Sequence, residues 1–205
     1  MPEAGPVVSI ERAGGVTTLR IDRPERRNAL DTQAILSLTD AVEQSKDDSS
    51  TRTLVITGTG DIFSAGGDLE SFRTSGPPLT RALERRHLGR LLRLLDELGK
   101  PTLARVNGDA LGLGLGLVAG CDLAIACSEA RFGLPGIRLG IWPMTILAPL
   151  RRTMPRKTLM ELLLTGRLMG SAEAASIGFV NAVVERRDLD QAVEGATLAL
   201  ARGYG

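Results

Sequence analysis

The sequence predicts an α/β fold, from three observations. Short aliphatic strands alternate with helices through most of the 205 residues. Aromatic residues make up only 3% of the chain, so the core has to be built from Leu, Ile, Val and Ala and from close backbone contacts at glycine. No charge run, repeat or low-complexity segment divides the chain, and its length suits one domain, 1–205.

The elements follow in order. VVSIERAGGVTTLRIDRP alternates apolar and polar residues on both sides of Ala13-Gly14-Gly15, the pattern of a hairpin with strands at 7–11 and 16–21. After Pro24 the spacing becomes helical, with Ile35, Leu38 and Val42 on one face and Asp31 or Thr32 placed to cap it. Leu54 to Thr57 is a buried strand closed by Gly58 and Gly60. DIFSAGGDLESF carries adjacent glycines on a turn, and the loop RTSGPPLT separates it from a helix whose stripe is Leu88, Leu91, Leu92, Leu95 and Leu98. TLARVNG is the next strand and turn. Leu123 to Ala126 is another strand, followed by a corner at Trp142-Pro143; the remainder is largely helical, with one strand at Phe179 to Val184.

Composition narrows the partners. Lys plus Arg number 25 against 24 for Asp plus Glu, so no general attraction to nucleic acid or anionic membrane is expected. Cys121 and Cys127 lack companion His or Cys at ligand spacing, which reads as two buried thiols without a metal. The N-terminus has no basic segment leading into an apolar run, and no window approaches the ~18 apolar residues of a span. A cytoplasmic protein is expected.

The glycine run ALGLGLGLVAGCD, Ala110 to Asp122, is the most distinctive stretch. As a strand interior it is disfavoured, and VAGCD breaks the alternation. It lacks the Lys-Ser or Lys-Thr of a phosphate loop, and five residues separate its glycines from the preceding strand, against a dinucleotide fingerprint. The remaining reading is a helix that begins within the glycines and offers its first N–H groups, at the positive end of its dipole, to a developing oxyanion. SAGGD supplies a second donor, since Gly66 and Gly67 on a turn can present an N–H to the same pocket.

RPERRNALD, FSAGGDLESF, KPTLARVNGDALGLGLGLVAGCDLAIA, FGLPGIRLGIWP and TGRLMGSAEAASIGFVNAVV, in this order, resemble the successive signatures of the enoyl-CoA hydratase/isomerase (crotonase) superfamily. The resemblance spans roughly residues 7 to 200. It implies a spiral of ββα units with a helical C-terminal part, C-terminal helices fewer than the family's usual set, and a homo-oligomer, a trimer or hexamer. It also implies an acyl-CoA thioester as ligand, with CoA part of the substrate and no separate cofactor or metal. By motif position the oxyanion donors are the N–H groups of Gly67 and Leu113, and Ala65, Gly66, Asp68, Leu69 and Gly112 line the substrate. Arg26 is the cation placed to meet a CoA phosphate; its alternative reading is a solvated arginine.

The two glutamates with which family hydratases place and deprotonate water fall, by the same resemblance, at Gly116 and Gly136. Neither can move a proton, and general acid–base groups contribute about 10²- to 10⁴-fold each. Weak or altered hydratase activity is therefore expected, with a non-catalytic acyl-CoA-binding or protein-interaction role as the alternative. Glu84 and the single histidine, His87, share a helix face three residues apart and are the nearest substitutes by sequence, against a plain helix-surface reading. Asp68 reads as a structural carboxylate holding its turn, and the last helix, Asp190 to Arg202, as leaving Val193 and Leu200 exposed unless a neighbour covers them.

Overall fold

The computed structural model describes residues 5–68 and 78–203, with side chains at 5–68 and 86–201. The α/β expectation holds as two sheets threaded by one spiral. A six-stranded sheet has the order β1-β2-β3-β5-β7-β10, and a four-stranded sheet the order β4-β6-β8-β9. β1 (Val8–Ala13) and β2 (Val16–Ile21) form the antiparallel hairpin, and β2 then pairs in parallel with β3 (Thr53–Gly58). From there the chain deposits one strand on each sheet in turn. β3 is followed by β4 (Ile62–Ser64) and helix α2 (Pro78–Asp96), then β5 (Thr102–Val106) by β6 (Asp109–Leu111) and helix α3 (Leu113–Gly120). β7 (Leu123–Cys127) and β8 (Arg131–Gly133) repeat the step. This is the ββα spiral.

Each element has a local cause. Helix α1 (Thr32–Asp47) starts where the Asp31 carboxylate accepts the Ala34 N–H at 2.8 Å, and it buries Ile35, Leu38 and Val42 against the hairpin side of the sheet. β3 reads TLVITG and is buried at every residue, as a parallel strand covered on both faces must be. The α2 stripe is buried at all of Leu88, Leu91, Leu92, Leu95 and Leu98. α2 begins at Pro78, earlier than RALERRHL suggests, and most of the expected loop at 73–80 lies outside the described residues.

The short strands of the smaller sheet were not expected. β4, β6, β8 and β9 (Leu168–Gly170) have three residues each, too few for an alternation pattern to be read. Near the end, β10 is Ala182–Val184, shorter than 179–184, because Phe179 turns inward to meet Phe132 edge-to-face at 5.5 Å. Helix α7 (Leu189–Gly203) also corrects an expectation. Val193 is buried against the main sheet, Leu200 is half-buried, and Leu198 is the exposed apolar residue. Both cysteines are buried, and burial pushes the Cys121 thiol up to about 12, so it stays protonated.

Two buried asparagines fix the junction between the sheets. Asn28 Nδ2 donates to the carbonyls of Thr59 and Ile62 at 2.9 and 2.8 Å while its Oδ1 accepts the Arg23 N–H. Asn107 Nδ2 donates to Gly60 and Ile62 at 2.9 and 3.1 Å, and its Oδ1 accepts from Gly58 N–H and the Thr57 hydroxyl. Replacing Asn107 with Leu strands these partners in a dry interior, so Asn107→Leu is expected to lower unfolding stability by roughly 2–4 kcal/mol. Urea denaturation measures this, and a loss below half a kcal/mol, about the scatter of surface substitutions, contradicts the clamp.

Candidate functional site

Strands β4 and β6 lie side by side in parallel, with Ser64 paired to Ala110. Three residues beyond each of these stand Gly67 and Leu113, so equal steps along parallel neighbours deliver both to the same end of the sheet. The turn after β4 is held by the Ser64 hydroxyl, which donates to the Asn28 carbonyl at 2.8 Å and accepts the Gly66 N–H at 3.1 Å. Gly66 has φ +98°, and a Cβ there would stand 2.7 Å from the Leu111 carbonyl oxygen; only glycine satisfies both conditions. Leu30 then donates to the Gly66 carbonyl and accepts from Asp68 N–H, a ladder that uses the residues on either side and leaves the Gly67 N–H out.

The second turn is Gly112, whose own N–H donates to the Gly133 carbonyl at 2.9 Å. It precedes α3, so the Leu113 N–H is the first of a helix and has no intrahelical acceptor. A Cβ on Gly112 would lie 3.7 Å from Gly66 Cα, which shows how closely the two turns approach. Gly114 brings the helix onto β4: a Cβ there would meet the Ser64 Cβ at 2.8 Å. The glycine run is therefore the end of a strand, one turn and a helix. Leu115, Leu117 and Val118 of that helix are buried.

Charges flank the first turn. Asp68 is buried, its Oδ2 lying 3.0 Å from Arg26 Nη1 and 3.7 Å from Arg23 Nη2, and Arg23 is also paired with Asp31 at 2.7 Å. The Arg26 side chain is 46% exposed and paired with Asp68. Ala65 N–H donates to the Arg27 carbonyl, while Leu69 and the side chain of Glu84 lie outside the described residues. His87 is half-buried on α2. Among the described residues no group of three His, Cys, Asp or Glu side chains is close enough to hold a metal, and no described helix is long and apolar enough to cross a membrane.

Residues 11–202 match the family model described as enoyl-CoA hydratase/isomerase. The chain belongs to that family. It is 34% identical over 193 residues to the mitochondrial enoyl-CoA hydratase domain-containing protein 3 of Danio rerio, covering 94% of this chain and 65% of that protein. To 4-chlorobenzoyl coenzyme A dehalogenase-2 of an Arthrobacter species it is 34% identical over 190 residues, covering 91% and 69%. The crystal structure of an enoyl-CoA hydratase from Mycobacterium smegmatis superposes with a TM-score of 0.92 at 33% identity, over 95% of this chain and 76% of that one. This enoyl-CoA hydratase/isomerase family member therefore spans about two thirds of the length of these curated relatives.

Gly116 and Gly136, singled out by the sequence, are not equivalent in their surroundings. A Cβ on Gly116 would meet Ile146 Cγ2 at 2.3 Å and Cβ at 2.8 Å, and Ile146 is fully buried. The space a side chain at 116 would need is filled by an isoleucine from the segment before helix α4 (Leu147–Thr153). At Gly136 the nearest atom to an added Cβ is Ile141 Cβ at 3.5 Å, an ordinary contact, so a side chain fits. Ile146, Asn28 and Asn107 are the site-building residues that sequence reasoning missed. The asparagines carry a faint signal, a polar side chain before a turn between apolar strands, and Ile146 carries none.

Gly116→Ala should destabilise the fold by about 1–3 kcal/mol through overpacking, and Ile146→Ala should cost less in that background than it does alone. A double-mutant cycle by thermal or urea unfolding reads it; strictly additive single effects would mean that the two positions do not touch. Gly136→Ala should change stability by less than about half a kcal/mol beyond the propensity gain.

Proposed function

We propose that this protein binds an acyl-CoA thioester with its carbonyl oxygen between the N–H groups of Gly67 and Leu113, and polarises it there. The observation that supports this most directly is the parallel register that carries both donors to one end of β4 and β6. As charge develops on the thioester oxygen, two preorganised N–H dipoles meet it without reorganising, and removal of one such donor typically costs about 10²- to 10³-fold in rate. The acyl chain would lie toward Ile146 and α3, and the adenosine part along Arg26 and the Ala65–Asp68 turn. Arg26 would meet a phosphate with a charge already shared with Asp68. A homo-oligomer is part of the same reading.

Turnover by the hydratase route should be weak, since glycines at 116 and 136 carry no proton. A second reading, a homologue that binds acyl-CoA without turning it over, is favoured by Ile146, whose packing fills one of the two positions with hydrocarbon. Acyl-CoA binding by calorimetry, together with turnover of enoyl-, malonyl- and aryl-CoA thioesters, separates the two. Gly67→Pro, which deletes one donor, should cost about 10²-fold or more in any turnover the native chain shows. Gly136→Glu should raise hydration or double-bond isomerisation by about 10²-fold. Undiminished turnover in Gly67→Pro would overturn the carbonyl-binding reading, and activity appearing only in Gly136→Glu would establish the second one.

A further inference from the structure

The smaller sheet has a second concave feature at its other end. A cavity of ≈ 390 Å³ opens where β4, β6 and β8 begin, between the β3–β4 turn, Gly108-Asp109, Glu129 and Arg131. Gly67 and Leu113 lie beyond the opposite ends of β4 and β6, so the cavity is about a strand length, ~10 Å, from them. It is a separate place on the same two strands, and its reading does not depend on acyl-CoA binding.

Six charged side chains line it: Arg27, Arg131 and Arg186 against Asp61, Asp109 and Glu129, which cancel. Their pairing is uneven. Arg131 and Asp109 saturate each other, with Nε to Oδ1 at 3.0 Å, Nη2 to Oδ2 at 2.6 Å and the Arg131 N–H to Oδ1 at 3.1 Å. Arg186 donates to the Asn107 carbonyl and stands 3.4 Å from Glu129. Arg27 and Asp61 have no ion-pair partner among the described residues, although both line the cavity and one is positive and the other negative. Thr59 also lines it, with its hydroxyl oxygen turned away from the accessible space.

The Arg27 backbone is fixed. It occupies the left-handed region at φ 52°, as does Asn28 at φ 54°, and is held by its N–H to Pro24 and by Ala65 N–H to its carbonyl. Arg26 is joined to Asp68 at the other end of the β4 segment, so the two adjacent arginines serve opposite ends of it.

We propose that this cavity binds a small zwitterion of the free amino acid class, its carboxylate on Arg27 and its ammonium on Asp61. A lining whose charges cancel gives no net attraction to a simple anion or cation. One unpaired charge of each sign rewards a molecule that carries both.

The test is thermal unfolding and calorimetry of the full chain with a panel of free L-amino acids at millimolar concentration. Acetate plus methylammonium at equal concentration, and inorganic phosphate, serve as the separated-charge comparisons. The expected result is a raised unfolding midpoint with at least one amino acid and not with the separated ions. Arg27→Gln and Asp61→Asn, exposed positions that should leave the unliganded midpoint unchanged, are each expected to weaken that binding about tenfold or more. Equal effects of acetate with methylammonium, binding of phosphate alone, no response to any amino acid, or retained affinity in either variant would overturn the proposal.

Discussion

One carbonyl, that of Ile62, accepts hydrogen bonds from two buried asparagine side chains, at 2.8 Å from Asn28 and 3.1 Å from Asn107. Asn28 comes from the loop that leads into α1, Asn107 from the end of β5, and Ile62 opens β4, so this oxygen joins three separate passes of the chain. Such a carbonyl, out of reach of water, would cost roughly 1–3 kcal/mol if left unpaired. The register of β4 against β6 inherits this anchoring. β4 carries one extra residue relative to its partner between Ile62 and Ser64, and the interval places buried Phe63. Had β4 started one residue later, the close approach of the turns at Gly66 and Gly112 would be lost.

The polar cluster beside the first turn shows how little of the local charge is left unassigned. Arg23 and Asp68 are both buried, and Asp31 and Arg26 complete a set of two positive and two negative groups. Arg23 also donates to the Ala29 carbonyl, which ties the cluster to the backbone that pairs with Gly66. Removing one carboxylate would leave a buried guanidinium short of a partner, a larger penalty than the loss of an exposed pair. The cluster sets the backbone that precedes Leu30, and through the Leu30–Gly66 bond the pose of the turn after β4.

Long-range order in the sequence was legible where physics acts locally. The α1 face, its Asp31 cap, the α2 leucine stripe and the hairpin around Gly14-Gly15 all follow from spacing and turn chemistry, and the family follows from its motifs in order. The glycine run was legible as the start of a helix because a phosphate loop and a strand each demand residues it lacks. The smaller sheet was not legible, because three-residue strands show no period, and most of its pairing partners are distant in the chain. The burial of Val193 was missed for a related reason: an amphipathic helix shows its apolar face but not which surface receives it. The contact of Gly116 with Ile146 joins residues 116 and 146 through space, and neither residue type announces the other.

That contact also bears on descent. Glycine at 116 and isoleucine at 146 hold each other in place: a larger residue at 116 collides with the isoleucine, and a smaller one at 146 leaves a void beside the glycine. Each single substitution away from the pair passes through a less stable protein, so the two positions drift together or not at all. Any side chain larger than hydrogen at 116 therefore needs a second change at 146 to fit. The other glycine, at 136, is under no such bond, and the ancestry of the two positions can be read separately.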